Sequence, residues 1–239
     1  MSQASRFLTA EWRRLILANY VLDPSLLRPF VPKGTELDIW NGRCYVSLVG
    51  FMFLNTRIKD ISIPFHSNFE EVNLRFYVKR IMPDGSTRRG VTFIREIVPK
   101  AAVTLVANMV YKERYATMPM RHSWKETDGM LAIQYEWKKE KWHSLRVLAD
   151  SAAKPIADGS EAEFITEHYW GYTKTGKNRS SEYPVEHPRW EIYPVKEYSV
   201  NVDFGKVYGN EFGFLSNEKP VSVMLAEGSE IVVRSGGKM

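Results

Sequence analysis

The sequence is poor in cysteine and in metal-binding histidine patterns. It has one cysteine, Cys44, in 239 residues. A single cysteine excludes a disulfide within the chain and leaves no thiolate pair for a metal site. The histidines lack the HxH and HExxH spacings that are typical of zinc sites. They are His66, His122, His143, His168 and His187. We therefore predict that the protein needs neither a metal nor a cofactor.

Long apolar segments and targeting features are also absent. No stretch approaches the ~20 apolar residues that a membrane-spanning helix needs. Residues 1–9 do not combine a basic segment with an apolar one, as a secretory signal would. The formal net charge of +5 is spread along the chain, without a helix-turn-helix pattern or an arginine-rich arm. We expect a cytoplasmic protein that binds neither membranes nor nucleic acids, and the sequence leaves homo-oligomerisation open.

Motifs of several common catalytic folds are missing as well. The chain contains no G-x-S-x-G segment, no P-loop and no G-x-G-x-x-G segment. The patterns for an acyl hydrolase, a nucleotide triphosphatase and a dinucleotide-binding enzyme are therefore not met.

Strand patterns dominate the sequence. Apolar and β-branched runs predict strands at residues 13–21, 37–40, 43–53, 71–80, 90–97, 130–137, 142–148, 190–207 and 221–233. Asn41-Gly42, between two of these runs, predicts a hairpin. The alternation in 71–80 predicts a half-exposed strand, and the polar segment 176–187 is expected to be a loop. Neither a repeat nor a linker divides the chain, so we predict one domain, residues 1–239.

Helical patterns are few and short. Asp23 followed by Pro24 predicts the N-cap and first position of a short helix. Residues 99–110 carry an apolar stripe at helical spacing. Ser160 and Glu163 form a capping-box pattern. Many hairpin-connected strands and a few short helices predict an α+β, mainly antiparallel β fold, whose sheet closes or nearly closes to hide its edges.

Lys100 lies at the start of the helix predicted at 99–110. The positive end of a helix dipole disfavours the ammonium form, which favours an amine nucleophile. The alternative is an ordinary surface lysine at a helix end.

Charged residues also occur in the predicted strands. Glu70 and Glu71 are adjacent, so only one of them can face an interior, and both could be exposed. Arg75 lies four residues after Glu71 and shares its face, so the two side chains could pair with each other or with a ligand carboxylate. Arg95, in the next strand, would need a partner if it faced inward, because an unpaired buried charge is costly.

Five segments resemble the DUF2071 (YqjF-like) family. They are NYVLDP at 19–24, EVNLRFYV at 71–78, FIREIVP at 93–99, MPMRH at 118–122 and EHPRW at 186–190. The resemblance extends over roughly residues 11–209. It implies a fold and a pocket, but the family itself has no defined reaction.

The chain resembles the acetoacetate decarboxylase-like superfamily more remotely. That resemblance implies a cone-like antiparallel barrel around an apolar pocket, with a lysine that forms a Schiff base. It makes Lys100 and Glu71 the candidate catalytic residues and Arg13 a candidate ligand-binding residue, to which Arg75 and Arg95 are added. Ala101 stands where the superfamily has a second lysine that activates the first. We therefore expect little or no acetoacetate decarboxylation.

Two functional hypotheses follow. In the first, a pocket binds or acts on a small carboxylate or carbonyl compound, with lyase-like activity on a small keto acid as one possibility. In the second, a non-catalytic structural or interaction protein keeps the barrel and fills its interior with aromatic side chains. We expect Glu71, Arg75 and Lys100 to face one shared cavity. An apolar cavity in which Arg13 and Glu71 converge would favour the first hypothesis, and a solid interior the second.

Overall fold

A computed structural model describes residues 5–110 and 113–239. The strands in these ranges are β1 (Arg6–Leu22), β2 (Glu36–Leu37), β3 (Cys44–Ile58), β4 (Ile61–Ser62), β5 (Phe69–Ile81), β6 (Thr87–Val98), β7 (Tyr115–Thr117), β8 (Met120–Thr127), β9 (Met130–Lys139), β10 (Lys141–Asp150), β11 (Lys154–Pro155), β12 (Trp170–Gly176), β13 (Arg179–Glu186), β14 (Glu191–Tyr193), β15 (Val195–Asn201), β16 (Ser222–Arg234) and β17 (Gly237–Lys238). The α-helices are α1 (Pro24–Leu27), α2 (Ala101–Val110), α3 (Glu161–Thr166) and α4 (Phe204–Tyr208), and 3-10 helices span Arg28–Phe30 and Asn210–Asn217. Within the described ranges, no helix is both long enough and apolar enough to cross a membrane.

The larger sheet forms a ring, because strands at the two ends of its central order pair with each other. Its central order is β16-β1-β3-β5-β6-β12-β13, and β13 also pairs with β16 at Val185–Val233 and Glu186–Val232. Within this ring β12 pairs with β6 in the parallel sense, and the other neighbours are antiparallel. The mainly antiparallel β fold with few short helices is thus confirmed. Closing the ring removes the unpaired edges that a flat sheet would expose.

The central strands β3 and β5 are buried on both faces. Successive strand residues point to opposite sides, and here both sides are covered by other parts of the protein. One core cluster contains Phe51 and Tyr77, and the other contains Leu48 and Phe76. This double burial explains the nearly continuous apolar sequence of β3, because neither of its faces meets water.

A second sheet covers the outer face of the ring. Its strand order is β15-β10-β9-β8, and Tyr135 of β9 is fully buried against the ring. The Tyr135 hydroxyl donates to the Arg14 carbonyl oxygen at 2.9 Å. Gly50 leaves room for the Tyr135 ring, since a Cβ there would lie 3.0 Å from it. The outer core is thus closed by side chains, and the inner face of the ring is left for the site.

Two segments differ from the sequence expectation. Residues 176–187 are not a loop, because β13 pairs with β12 and closes the ring. One of the charged side chains of β13, Glu182, pairs with Arg80 of β5 at 2.7 Å. Residues 190–207 are not one continuous strand either. The chain forms β14 and β15 and then turns into α4, where Asp203 accepts a hydrogen bond from the Lys206 amide at 3.0 Å.

Of two further expectations, one was right in part and the other was wrong. Asn41 and Gly42 form the predicted tight turn, with φ of 48° and 74°, and Trp40 and Arg43 exchange both backbone hydrogen bonds. The hairpin ends there, because β2 pairs with β5 and not with β3. The prediction that 71–80 is half-exposed was wrong. The second sheet covers the apolar face of this strand, and its polar face, with Glu71 and Arg75, turns into the ring and not to solvent.

We predict that Gly228 is required for the pairing of β16 with β1. Its φ is +80°, and a Cβ there would lie 1.9 Å from the Trp12 carbonyl oxygen. Gly85 has nearly the same φ, +81°, but open space around it. Gly85→Ala should therefore cost only about 1–2 kcal/mol of left-handed strain. Gly228→Ala should lose a further ~1–3 kcal/mol through overpacking. Urea unfolding of both variants measures this difference, and equal losses would contradict the assignment.

Candidate functional site

A cavity of about 190 Å³ lies inside the ring. This volume is far larger than the ~10–15 Å³ that a single water needs. Most of its wall is apolar, and the aromatic part of the wall includes Trp12, Phe51, Phe53, Phe69, Phe93 and Trp190. Helix α2 covers part of it with Val103, Val106 and Ala107. The interior of the ring is therefore open and apolar, and it is not filled by side chains.

Strand β5 contributes three polar residues to the cavity. Glu71, Asn73 and Arg75 alternate along this strand, so all three point into the ring. Glu96 on β6 and Tyr115 on β7 add two more polar side chains to the lining. The strand period of two thus concentrates charge on one side of an otherwise apolar space.

Glu71 is held by two hydrogen bonds. Asn73 Nδ2 donates to its Oε1 at 2.9 Å, and the Tyr115 hydroxyl donates to its Oε2 at 3.0 Å. Burial raises the pKa of Glu71 to about 7, against the lowering effect of these bonds and of the Arg75 charge. A carboxyl group with this pKa can both accept and release a proton near neutral pH.

Two more carboxyl groups lie in the same cavity. Burial, followed by the charges of Glu113 and Glu71, holds the pKa of Glu96 well above its usual value. Burial also raises the pKa of Glu113 to about 7, although Thr173 and Tyr183 donate hydrogen bonds to it. Three carboxyl groups in one low-dielectric space cannot all ionise easily, so some of them keep their protons at neutral pH.

Arg75 supplies the positive charge of this region. Arg75 is 8% exposed, and its Nε has no hydrogen-bond partner among the described residues. The guanidinium lies over the Tyr77 ring, 5.8 Å from its centroid. A buried guanidinium with a free N–H facing a cavity is suited to an anionic oxygen ligand.

His168 lines the cavity as a neutral ring. Burial lowers its pKa to about 4, although its contact with Asp38 favours the charged form. Its Nε2 lies 3.3 Å from Asp38 Oδ2. When Nε2 carries the proton and donates to Asp38, Nδ1 remains an acceptor, and Nδ1 has no partner in the described part of the chain.

Lys100 does not share this cavity. It is partly buried where β6 gives way to α2, and it is not among the lining residues that the structure describes. Its charge acts instead on Glu70, which accepts a hydrogen bond from His122 Nδ1 at 2.7 Å. Glu70 points to the opposite face of β5 from Glu71. The expectation that Glu71, Arg75 and Lys100 converge is thus met by the first two residues only.

Arg13 also lies outside the cavity lining. Its guanidinium contacts Glu11 at 2.7 Å and Glu227 at 3.7 Å. The pairing of β1 with β3 shifts register between Arg13 and Ile16, where Arg14 has a φ of 55°. Trp12, and not Arg13, faces the cavity before this bulge, so the position inferred for an anion-binding arginine points elsewhere.

Arg95 faces away from the cavity. It donates to the Val207 carbonyl oxygen, at the end of α4. That bond gives it the polar partner that a buried arginine needs, but it does not direct Arg95 towards a ligand. Arg75 is thus the member of the three-arginine set that lines the cavity.

Sequence reasoning missed part of the site. Glu96 was noted only as part of the FIREIVP segment and was not predicted as a site residue. In the structure it is buried, with 3% of its surface exposed. Glu113 and Tyr115 fall in a stretch with no predicted element, and His168 follows a predicted helix. The register of β6 with β7, which pairs Glu96 with Tyr115, brings them together. In the described residues no group of three or more His, Cys, Asp or Glu side chains is arranged to hold a metal ion, and the absence of a metal stays a prediction.

The fold resembles solved structures over nearly the whole chain. Acetoacetate decarboxylase from Legionella pneumophila matches with a TM-score of 0.65 and 12% identity, covering 100% of this chain and 90% of that chain. The enduracididine biosynthesis enzyme MppR, complexed with pyruvate, matches with a TM-score of 0.69 and 12% identity, covering 100% and 91%. An acetoacetate decarboxylase-like enzyme from Sphingomonas wittichii matches with 0.62 and 10%, covering 98% and 94%. The fold is therefore of the acetoacetate decarboxylase-like class.

Within this class the sequence identifies the family. The profile of DUF2071, a family of uncharacterized conserved proteins, matches residues 9–230. The chain belongs to the DUF2071 family. The uncharacterized protein YqjF of Bacillus subtilis is 29% identical over 198 residues, which are 80% of this chain and 77% of YqjF.

We predict that Glu71 makes stability fall as pH rises through neutrality. Its pKa is about 7 in the folded protein against an ordinary value of 4.5, so the folded state holds more protons between these values. Unfolding free energy should therefore fall as pH rises from about 4.5 to 7, by up to ~3 kcal/mol for this group. Glu71→Gln cannot titrate and should reduce this slope in urea unfolding at pH 5 and pH 8.

Glu70→Gln is the matched control for that measurement. Burial disfavours the charge of Glu70, but His122 and Lys100 hold its pKa below the usual value. Glu70 is ionised at both pH values, so Glu70→Gln should keep the slope of the unaltered protein. A Glu71→Gln variant with an unchanged slope would contradict the assignment.

Proposed function

We propose that this protein binds a small carboxylate or carbonyl compound inside the ring and acts on it. The observation that carries the proposal is the cavity of about 190 Å³ in which Glu71 and Arg75 meet an aromatic wall. Arg75 would hold the anionic oxygen, and the aromatic residues would enclose the apolar part of the ligand. Sites for small molecules combine an apolar wall and a few polar groups in this way.

Glu71 is the proposed proton-handling group. A general acid or base works best when its pKa lies near the operating pH, and the pKa of Glu71 is about 7. The Tyr115 and Asn73 hydrogen bonds fix the carboxyl group at the cavity wall. This pair of roles, an anion-binding arginine and a nearby carboxyl group, supports proton transfer on a bound oxo or carboxylate compound.

The position of Lys100 argues against a decarboxylase mechanism that uses a Schiff base. Schiff-base formation needs an amine that reaches the substrate carbonyl, and the cavity lining that the structure describes contains no lysine. Ala101 also replaces the second lysine expected from the superfamily. We therefore propose chemistry without an amine adduct, and acetoacetate decarboxylation is not expected.

The alternative is a non-catalytic structural or interaction protein. It would be favoured by an interior that side chains fill, and the open cavity argues against it. Among the structural relatives, MppR has been solved in complex with pyruvate, which supports a small-molecule site for this fold. A cytoplasmic location and the oligomeric state stay predictions.

Arg75→Met should weaken the binding of a small keto acid. Pyruvate is a suitable probe, and its binding can be followed by calorimetry or by the fluorescence of the lining residues Trp12, Trp170 and Trp190. Loss of a buried charged partner costs about 2 kcal/mol or more, so affinity should fall roughly 30-fold or further.

Arg13→Met is the control for Arg75→Met. It removes the same charge at the position that the superfamily resemblance suggests, but it lies outside the cavity lining. Pyruvate affinity should change less than about twofold, because Arg13 is paired with Glu11 and Glu227 and does not line the cavity. Equal losses in the two variants, or a loss in Arg13→Met alone, would place the anion site elsewhere.

Trapping with borohydride tests the proposed absence of an amine adduct. The protein is incubated with pyruvate and sodium borohydride, and intact mass and peptide mass spectra are recorded. We expect no reduced pyruvate adduct at Lys100, because its side chain is not at the cavity wall. A stoichiometric adduct that disappears in Lys100→Ala would show that Lys100 reaches the ligand.

A further inference from the structure

Glu96 occupies the centre of a row of paired residues across three strands. Asn73 of β5 pairs with Glu96 of β6, and Glu96 pairs with Tyr115 of β7. Paired residues on neighbouring strands lie about 5 Å apart and point to the same face. Glu71 is joined to this row through Asn73 and Tyr115, which both donate to its carboxyl group.

Three polar atoms in this region have no partner among the described residues. They are Glu96 Oε2, Asn73 Oδ1 and Arg75 Nε, and their residues are 3%, 1% and 8% exposed. Buried polar atoms without partners are costly, and all three residues line the cavity. A proton taken up by the carboxyl groups and an anion bound to Arg75 would give these atoms the partners that they lack.

The charged groups around the row do not balance. Glu96 faces the carboxyl groups of Glu113 and Glu71 and the hydroxyl of Tyr115. Glu71 faces the Arg75 guanidinium, and Glu113 faces Arg114. The Arg75 charge also acts on the cavity-lining imidazoles of His168 and His187, whose pKa values burial lowers. The Tyr183 hydroxyl donates to Glu113 at 3.1 Å. Three buried carboxyl groups near two cations cannot all be ionised without a large cost. At least one of the three therefore keeps its proton.

Glu113 also borders a second, small cavity. Its volume is about 10 Å³, which is close to the space of one water. Its lining includes Glu113 together with Lys174 and Arg114, so it reaches the polar outer side of the ring. Since Glu113 lines both cavities, it gives the carboxyl groups a route for proton exchange that does not pass the bound ligand.

Resting on the proposed function, we propose that Glu71, Glu96 and Glu113 form a proton-holding subsite that takes up about one proton from solvent when an anion binds at Arg75. The Arg75 charge favours the ionised form of Glu71. An anion bound to Arg75 neutralises that charge, so the carboxylate loses its support and gains a proton. One anion and one proton enter together, and the net charge of the site is unchanged.

Calorimetry of pyruvate binding tests the coupling directly. Titrations at pH 8 in buffers with different ionisation enthalpies count the protons taken up, and we expect about one per pyruvate. Affinity should fall about tenfold per pH unit above pH 7. The double variant Glu71→Gln, Glu113→Gln should lose most of this uptake, whereas Glu70→Gln, on the opposite strand face, should retain it.

Infrared spectroscopy of the ligand-free protein tests the subsite without any ligand. A protonated carboxyl band should persist at pH 7 and decrease in Glu96→Gln. Absence of that band would overturn the proton-holding subsite whatever binds in the cavity. Pyruvate binding without proton uptake would overturn the coupling and leave the proposed function standing. A band with no pyruvate binding at any pH would contradict the proposed function and, with it, the coupling.

Discussion

The site depends on one constraint: strand β5 carries charged residues into an apolar enclosure. Glu71, Asn73 and Arg75 share its inner face, while Phe76 and its outward neighbours fill the outer core. Charges cost little on a solvated strand and much in a closed ring. The hydrogen bonds to Glu71, its raised pKa and its electrostatic contact with Arg75 are all responses to this burial.

The second sheet makes this arrangement possible. It closes the outer face of the ring, where Tyr135 fits over Gly50, and so removes the need for the inner face to form a solid core. The second sheet also supplies the partner of Glu70, which pairs with His122 of β8 outside the cavity. Adjacent glutamates therefore have opposite properties: burial raises the pKa of Glu71 to about 7, and His122 lowers that of Glu70.

Local chemistry was predictable from sequence, and long-range register was not. The Asp23 cap accepts from the Ser25 amide at 2.8 Å as expected, and Ser160 accepts from Glu163. The shared face of Glu71 and Arg75 followed from the strand period. Lys100 and Arg13 were assigned by resemblance to positions in a motif. A bulge in β1 and the strand end before α2 decide where those side chains point. The bulge has no sequence signal, and the strand end was predicted without showing which way Lys100 points.

The most direct test of the account is a crystal structure of the protein soaked with pyruvate. We predict density inside the ring, with the pyruvate carboxylate within hydrogen-bond distance of Arg75 and its keto oxygen on the side of Glu71 and Glu96. No density should connect the ligand to Lys100. Pyruvate bound covalently to Lys100, or pyruvate seated beside Arg13 with the ring interior empty, would contradict the account.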